Sequence, residues 1–157
     1  MVSLMRRHRF HCPAALLALA VMLPIDAGAA LGGAASSVEA DQARMHARRE
    51  VAAGTAYTVH EITTPAGTVV REFMSPATGQ VFAVAWHGPF MPDLKQVLGA
   101  HFDTFVETAS TQHHGRGNVL VHKPEVVIHS GGHMRAFSGL AYLPGQVPQG
   151  VRLEDIR

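Results

Sequence analysis

Alternating apolar and polar positions predict three neighbouring strands in the middle of the chain. The three segments are rich in Val, Thr, Tyr and Phe, and tight turns that contain proline and glycine separate them. Because the connecting turns are tight, the strands are predicted to form an antiparallel meander. They span residues 55–63, 68–74 and 80–86.

The third of these strands is predicted to be central in the sheet. Both of its faces are apolar, which is typical of a strand that is covered on two sides. Alternation puts Phe82, Val84 and Trp86 on one face and Val81, Ala83 and Ala85 on the other.

A proline-containing corner and the longest amphipathic helix of the chain follow this strand. Pro92 suits the first turn of a helix, and Asp93 lies near the positive end of the helix dipole. Gly99 lies near the edge of the apolar stripe, where it could bend the helix or permit close packing. The stripe should supply much of the core, and it consists of Leu94, Val97, Leu98, Phe102, Phe105 and Val106.

An N-terminal helix is predicted over residues 37–52. Ser36 and Glu39 have the spacing of a capping box, and neither proline nor glycine interrupts the chain before Gly54. The apolar stripe of this helix is thin, so we expect it to pack loosely or to lie on the outside of a sheet.

The C-terminal third alternates exposed and strand-forming segments. Residues 108–118 are polar and contain glycine, which indicates an exposed loop, and residues 119–122 form a short strand. Residues 143–157 are expected to form an extended cover. The predicted fold class is α+β: an antiparallel sheet, built from the meander and a C-terminal hairpin, with one amphipathic helix packed across it and an N-terminal helix.

The C-terminal hairpin is predicted to turn at Gly131 and Gly132, a two-residue linker that favours a tight turn. Its strands would cover residues 125–130 and 133–142. In that register four cross-strand pairs form: Ser130 with His133, His129 with Met134, Ile128 with Arg135, and Val126 with Phe137.

Residues 1–29 have the pattern of a secretory signal peptide. Three arginines precede an apolar stretch, and a small-residue segment follows it, which places the predicted cleavage between Ala29 and Ala30. The apolar stretch has about ten residues, half of the roughly 20 that a membrane anchor needs. The sequence therefore predicts one domain over residues 30–157, exported to the periplasm or secreted, without stable membrane insertion after cleavage.

Removal of the signal peptide changes the sign of the net charge. The whole chain has 13 Lys and Arg, 12 Asp and Glu, 11 His and a formal charge of +1. Loss of Arg6, Arg7, Arg9 and Asp26 leaves 10 basic and 11 acidic side chains, a formal charge of −1. Without a basic excess, charge favours neither nucleic acid nor an anionic membrane as a partner.

Four segments together resemble a family of exported bacterial proteins that is catalogued only as a domain of unknown function. They are GTVVREF at 67–73, VFAVAW at 81–86, GPFMPDL at 88–94 and SGGHMRAF at 130–137. The resemblance extends over about residues 31–157. It implies an exported single-domain protein, and it implies no activity, cofactor or catalytic residue.

Nine histidines remain after removal of the signal peptide, and imidazole is a common ligand for zinc and copper. A site would need His113, His114 and His122 to converge with His129 or His133 at one edge of the sheet. The predicted hairpin register puts the last two on opposite faces, and the chain contains neither a zincin motif nor a cysteine pair. We therefore favour exposed or hydrogen-bonded histidines over a metal site.

The predicted hairpin also contains the most enzyme-like group of side chains. Ser130 would lie opposite His133, with Arg135 further along the same face, and a nearby base could activate the hydroxyl. A glycine turn flanked by polar residues explains the same pattern more simply, so we assign no catalytic residue. The candidate ligand-binding residues are Trp86, His129, His133 and Arg135.

The favoured function is therefore that of a small exported, non-enzymatic binding or accessory protein of the cell envelope. Its partner would be an envelope protein or a small-molecule ligand, and no pattern indicates a cofactor. Two alternatives remain open, which are a histidine-mediated binder of divalent metal and a small hydrolase at the Ser130 to Arg135 hairpin.

Overall fold

The structure, a computed structural model, describes residues 31–112 and 117–156. Across these two ranges, no helix combines the length and the apolar character needed to span a bilayer. The predicted signal peptide, its cleavage site at Ala29 and Ala30, and the histidines His113 and His114 lie outside the described residues.

Within the described residues, seven strands form a single antiparallel sheet in the order β1-β2-β3-β4-β7-β6-β5. The α+β prediction is confirmed in outline, since the meander and the C-terminal hairpin both form. The strands are β1 (Arg48–Ala53), β2 (Thr58–Thr63), β3 (Val69–Met74), β4 (Val81–Gly88), β5 (Val119–His122), β6 (Val127–His133) and β7 (Ala136–Tyr142).

Strand β4 is the middle strand of the seven, as its two apolar faces predicted. The predicted division of its side chains is wrong at two positions, however: Val81 lies with Val84, and Phe82 lies with Ala83. Phe73 pairs with Ala83 and Met74 pairs with Val81, so the ladder skips Phe82. This bulge adds one residue to β4 and turns Phe82 to the face opposite Val84.

The two faces of the sheet are covered by different parts of the chain. The face that carries Val84 and Trp86, here called the first face, packs against apolar side chains of the helices, among them Val97 and Leu98. The opposite, second face carries Ala83 and Ala85 in a smaller core that includes Ile156 and contacts Val147 and Val151. Residues 143–156 do cover part of this face, as predicted, but they include 3-10 turns at Pro144–Gln146 and Leu153–Asp155 and are not extended throughout.

The predicted long helix is divided into two helices by a short 3-10 turn. Helix α2 spans Leu94–Leu98, the 3-10 turn spans Gly99–His101, and helix α3 spans Phe102–Thr111. Asp93 caps α2, because its carboxylate accepts hydrogen bonds from the backbone of Lys95 and Gln96 at 3.0 and 3.3 Å. Gly99 has a φ of 52°, which accounts for the break.

Helix α3 continues into the segment that was predicted to be an exposed loop. Its last turns are rich in hydroxyl side chains, which generally disfavour a helix interior. These hydroxyls donate to backbone carbonyls of the preceding turn: Thr108 to Thr104 at 2.9 Å and Ser110 to Glu107 at 2.7 Å. Packing of α3 on β5 then retains the helical conformation.

The predicted N-terminal helix over residues 37–52 is not supported. A helical segment, α1, spans Ala35–Arg44, but residues 48–53 form strand β1 and pair with β2. His46 lies between them with a φ of 47°, a left-handed conformation that ends a helix. The thin apolar stripe could not outweigh pairing with the open edge of the meander, so tertiary contacts determine the structure here.

Candidate functional site

A groove with a volume of about 1020 Å³ crosses the second face of the sheet. It runs over strands β3, β4, β7, β6 and β5 and ends against the C-terminal segment. Its lining comprises Arg71, Ala85, Trp86, His87, Gln112, Asn118, Val119, Leu120, His129, Ser130, Gly131, Ser138, Gly139, Leu140 and Ile156.

Strands β4, β6 and β7 each contribute three consecutive residues to this lining, and β5 contributes two. In β4, for example, these are Ala85, Trp86 and His87. Because side chains alternate across a strand, Ala85 and His87 present their side chains to the groove and Trp86 presents only its backbone. The same alternation in β5, β6 and β7 makes the groove a feature of the second face alone.

The groove exists because small residues from different strands meet on this face. Ala85 and Ser138 are short, and Gly131 has no side chain at all. On the neighbouring row toward the C-terminal segment the side chains are large, and Ile156 packs there with only 1% of its surface exposed. The second face is therefore recessed next to the point where the C-terminal segment stops covering it.

The register arranges the groove in two parallel rows. One row follows the pairs Arg71–Ala85, Ala85–Leu140, Leu140–His129 and His129–Leu120 and is mostly apolar. Side chains that pair directly across strands lie on the same face. The groove thus presents this apolar row beside a polar one.

The polar row lies nearer the end of the sheet that carries the β6–β7 turn. His87 pairs with Ser138, and Ser138 pairs with Gly131. The Asn118 side chain occupies the space that a Cβ atom on Gly131 would fill. No hydrogen bond joins His87 to Ser138 in the part of the chain that the structure describes, so a serine activated by a base is not assembled here.

A charged pair closes one end of the groove. The Nε atom of Arg71 donates to Oε2 of Glu61 at 2.7 Å, and about a third of each side chain is exposed. Glu61 lies on β2, one strand further from the groove. The ion pair therefore fixes the guanidinium at the rim.

Trp86, a predicted ligand-binding residue, does not offer its ring to the groove. Its side chain is buried on the first face, with 2% of its surface exposed. The ring lies across Gly139, where a Cβ atom would overlap it. This tryptophan, the only one in the chain, thus supports the floor of the groove from the opposite side of the sheet.

The hairpin turn lies elsewhere than predicted. Ser130 pairs with Gly139 and His133 pairs with Ala136, so Met134 and Arg135 form the turn. Arg135 has a φ of 68°, a left-handed conformation that is uncommon for a residue other than glycine. The two glycines lie inside β6, where neighbouring atoms leave no room for a side chain.

This register separates the residues of the predicted catalytic group. Ser130 is buried toward the first face, whereas His133 is exposed and, with Arg135, lies at the end of the hairpin. His129 and His133, predicted on opposite faces, are four residues apart on one strand and share the second face. Of the four predicted ligand-binding residues, only His129 presents its side chain to the groove.

The histidines do not form a metal centre within the described residues. No group of three or more His, Cys, Asp or Glu side chains there is close enough to hold a metal ion. His122 and His129 share the second face of neighbouring strands, offset by two residues. The other two histidines of the predicted site, His113 and His114, lie outside the described ranges.

A second polar feature, missed from the sequence, is buried on the first face. His60 pairs with Glu72 across β2 and β3, and their exposed fractions are 7% and 0%. Burial lowers the pKa of His60 from its ordinary value, and the positive charge of Arg49 lowers it further. The pair is remote from the groove, because it lies on the other face of the sheet.

The lowered pKa of His60 predicts that acid destabilises the fold. Since the unfolded state binds the proton first as the pH falls, stability is present above about pH 6.5 and is lost below it. The free energy of unfolding, from urea melts between pH 7.5 and 5, should fall, and His60→Leu should reduce this slope. His122→Leu, at an exposed histidine, is the control; an unchanged slope in His60→Leu would refute the assignment.

Comparison with known proteins identifies a family for this chain but gives no activity. A family model described as a protein of unknown function (DUF2844) matches residues 27–156. No curated protein and no solved structure matches the chain.

Proposed function

Because the chain belongs to the DUF2844 family of proteins of unknown function, we propose its role from its geometry: it binds a small-molecule ligand in the second-face groove without transforming it. We also propose that residues 1–29 direct export and that the protein acts in the periplasm or after secretion. The signal-peptide pattern supports the second part of this proposal.

The groove over the small residues Ala85, Ser138 and Gly131 is the observation that carries the proposal. A volume of about 1020 Å³ suits a drug-sized or larger ligand, and ligand sites combine apolar walls with a few placed polar groups. Beside the groove, the second face is covered by large side chains and the C-terminal segment. Among the described residues, this face is left open beside Arg71 and His129.

Binding without catalysis fits the side chains that meet in the groove. His87 and Ser138 pair across strands but do not hydrogen-bond, and the separation of Ser130 from His133 removes the other serine and histidine pair. A hydrolase needs a base that contacts and orients its nucleophile. The groove supplies surface and hydrogen-bonding groups instead.

Filling the groove should abolish ligand binding. Ser138→Phe places a large side chain on the floor at an exposed position, so the fold should tolerate it. Native mass spectrometry of protein isolated gently from the extracytoplasmic fraction should show a bound small molecule in the wild type and none in this variant.

Ser110→Phe is the matched control, because Ser110 is exposed on α3 and outside the groove. It should retain the wild-type adduct. A ligand-free wild type, or an adduct that survives Ser138→Phe, would overturn the proposal.

The export proposal predicts the mass of the mature chain. Protein from the extracytoplasmic fraction should have the intact mass of a chain that begins at Ala30, within a residue or two. Retention of residues 1–29 in the membrane fraction would contradict it.

A further inference from the structure

We propose that the ligand of the groove is a single-chain anionic amphiphile, such as a medium-chain fatty acid. Its carboxylate would lie at Arg71 and its chain along the apolar row formed by Ala85 and Leu140. This inference rests on the proposed function, because it names the ligand class of the same groove.

The apolar row has the shape of a site for an extended chain. It passes from Arg71 on β3 to Leu120 on β5, across four strand spacings of about 4.8 Å, or roughly 19 Å in all. Leu120 is 49% exposed at the far end, and the buried Ile156 forms the wall on the side of the cover. His129 interrupts the row between Leu140 and Leu120, and a narrow, apolar chain would remove the apolar positions on either side of it from water.

The charge at one end of the groove selects the head group. Arg71 lines the groove, and its Nε–Glu61 bond of 2.7 Å holds the guanidinium in one orientation. His87 lies diagonally across from Arg71 on the next strand, with both side chains on the second face. A planar guanidinium carries five N–H donors, so it can hold Glu61 and a ligand carboxylate together.

The described lining is poorly suited to other ligand classes. No aromatic side chain lines the groove in the part that the structure describes, since Trp86 contributes only backbone, so sugars and bases have no stacking surface. An added peptide strand would need the β5 edge. There the Gln112 side chain accepts from the Leu120 backbone N–H at 3.0 Å and donates to its carbonyl.

Titration calorimetry with dodecanoate, below its micellar concentration, tests the ligand class. We expect one-to-one binding to the wild type and a change in the fluorescence of Trp86, which lies beneath the floor. Arg71→Met should weaken binding about tenfold, the loss expected for a charge-assisted hydrogen bond. Glu61→Gln should strengthen it, because the amide oxygen still accepts from Arg71 Nε while the competing negative charge is removed.

Arg48→Met is the matched control, since Arg48 is also paired with a glutamate, Glu50, at 3.0 Å, and lies outside the groove. It should bind dodecanoate as the wild type does. Monodecanoyl glycerol, an uncharged amphiphile, should bind at least tenfold more weakly than dodecanoate.

The outcomes separate this inference from the proposed function. Equal affinity for the two amphiphiles with no effect of Arg71→Met, or dodecanoate binding that survives Ser138→Phe, would overturn the ligand class. The ligand class would also be overturned if the wild type failed to bind dodecanoate but carried a native adduct that Ser138→Phe removes. That result would still support the proposed binding function. Absence of both dodecanoate binding and a native adduct would overturn both proposals.

Discussion

Replacement of Trp86 by alanine should lower the free energy of unfolding by about 3–5 kcal/mol, the usual cost of removing a large buried aromatic side chain. Its ring is buried on the first face and packs beneath the middle of the sheet. Since a domain of this size has roughly 5–15 kcal/mol of stability, the loss is a large part of the total. Urea melts followed by circular dichroism would measure it, because the variant lacks tryptophan fluorescence.

Trp86→Phe is the matched control for this prediction. The indole Nε1 atom has no hydrogen-bond partner within the described residues, so phenylalanine removes volume and no hydrogen bond. It should therefore cost less than half as much as alanine. A loss below about 1 kcal/mol for Trp86→Ala would show that the ring does not support the floor of the groove.

Gly139→Ala should also destabilise the protein strongly, by about 3 kcal/mol, the upper part of the range for overpacking a core. The added Cβ atom would overlap the indole ring of Trp86 and lie 2.7 Å from the carbonyl oxygen of His129. The sheet backbone cannot move away easily, because β7 is paired on both sides. Chemical denaturation would measure the loss.

Two further variants test the cause of that loss. Gly145→Ala places a methyl group in open space and should change stability by no more than about 0.5 kcal/mol. In the Trp86→Ala background the ring is absent, so Gly139→Ala should cost about 1–2 kcal/mol less than in the wild type. Strict additivity of the two substitutions would contradict direct packing of the ring on the glycine.

Much of the fold follows from local sequence patterns. The strand at Val119–His122 lies where it was predicted, α2 begins after its Asp93 cap, and β4 is central because both its faces are apolar. These features depend on periodicity and on helix capping, which short stretches of sequence encode. They could therefore be predicted without knowing which strands are neighbours.

The errors occurred where distant contacts decide the local conformation. Gly131 and Gly132 have the composition of a turn, yet they serve as strand residues beside Asn118 and the backbone of β7. The bulge at Phe82 depends on the partner strand β3. Residues 48–53 became a strand because β2 offered an open edge.

The groove itself could not be predicted, because its floor is assembled from three strands. Ala85, Ser138 and Gly131 are small residues that become neighbours only through the β4–β7 and β6–β7 registers. The sequence does show small residues within apolar strands, which is the pattern that produces the groove. Which of these small residues become neighbours depends on the hairpin register, and the predicted register had its turn in the wrong place.

A crystal structure of protein purified with its native ligand tests the central claim most directly. We predict electron density for a small molecule over Ala85, Ser138 and Leu140, with its polar end near Arg71. A ligand bound elsewhere, or a groove occupied by the protein's own side chains, would contradict the proposal that this groove is the binding site.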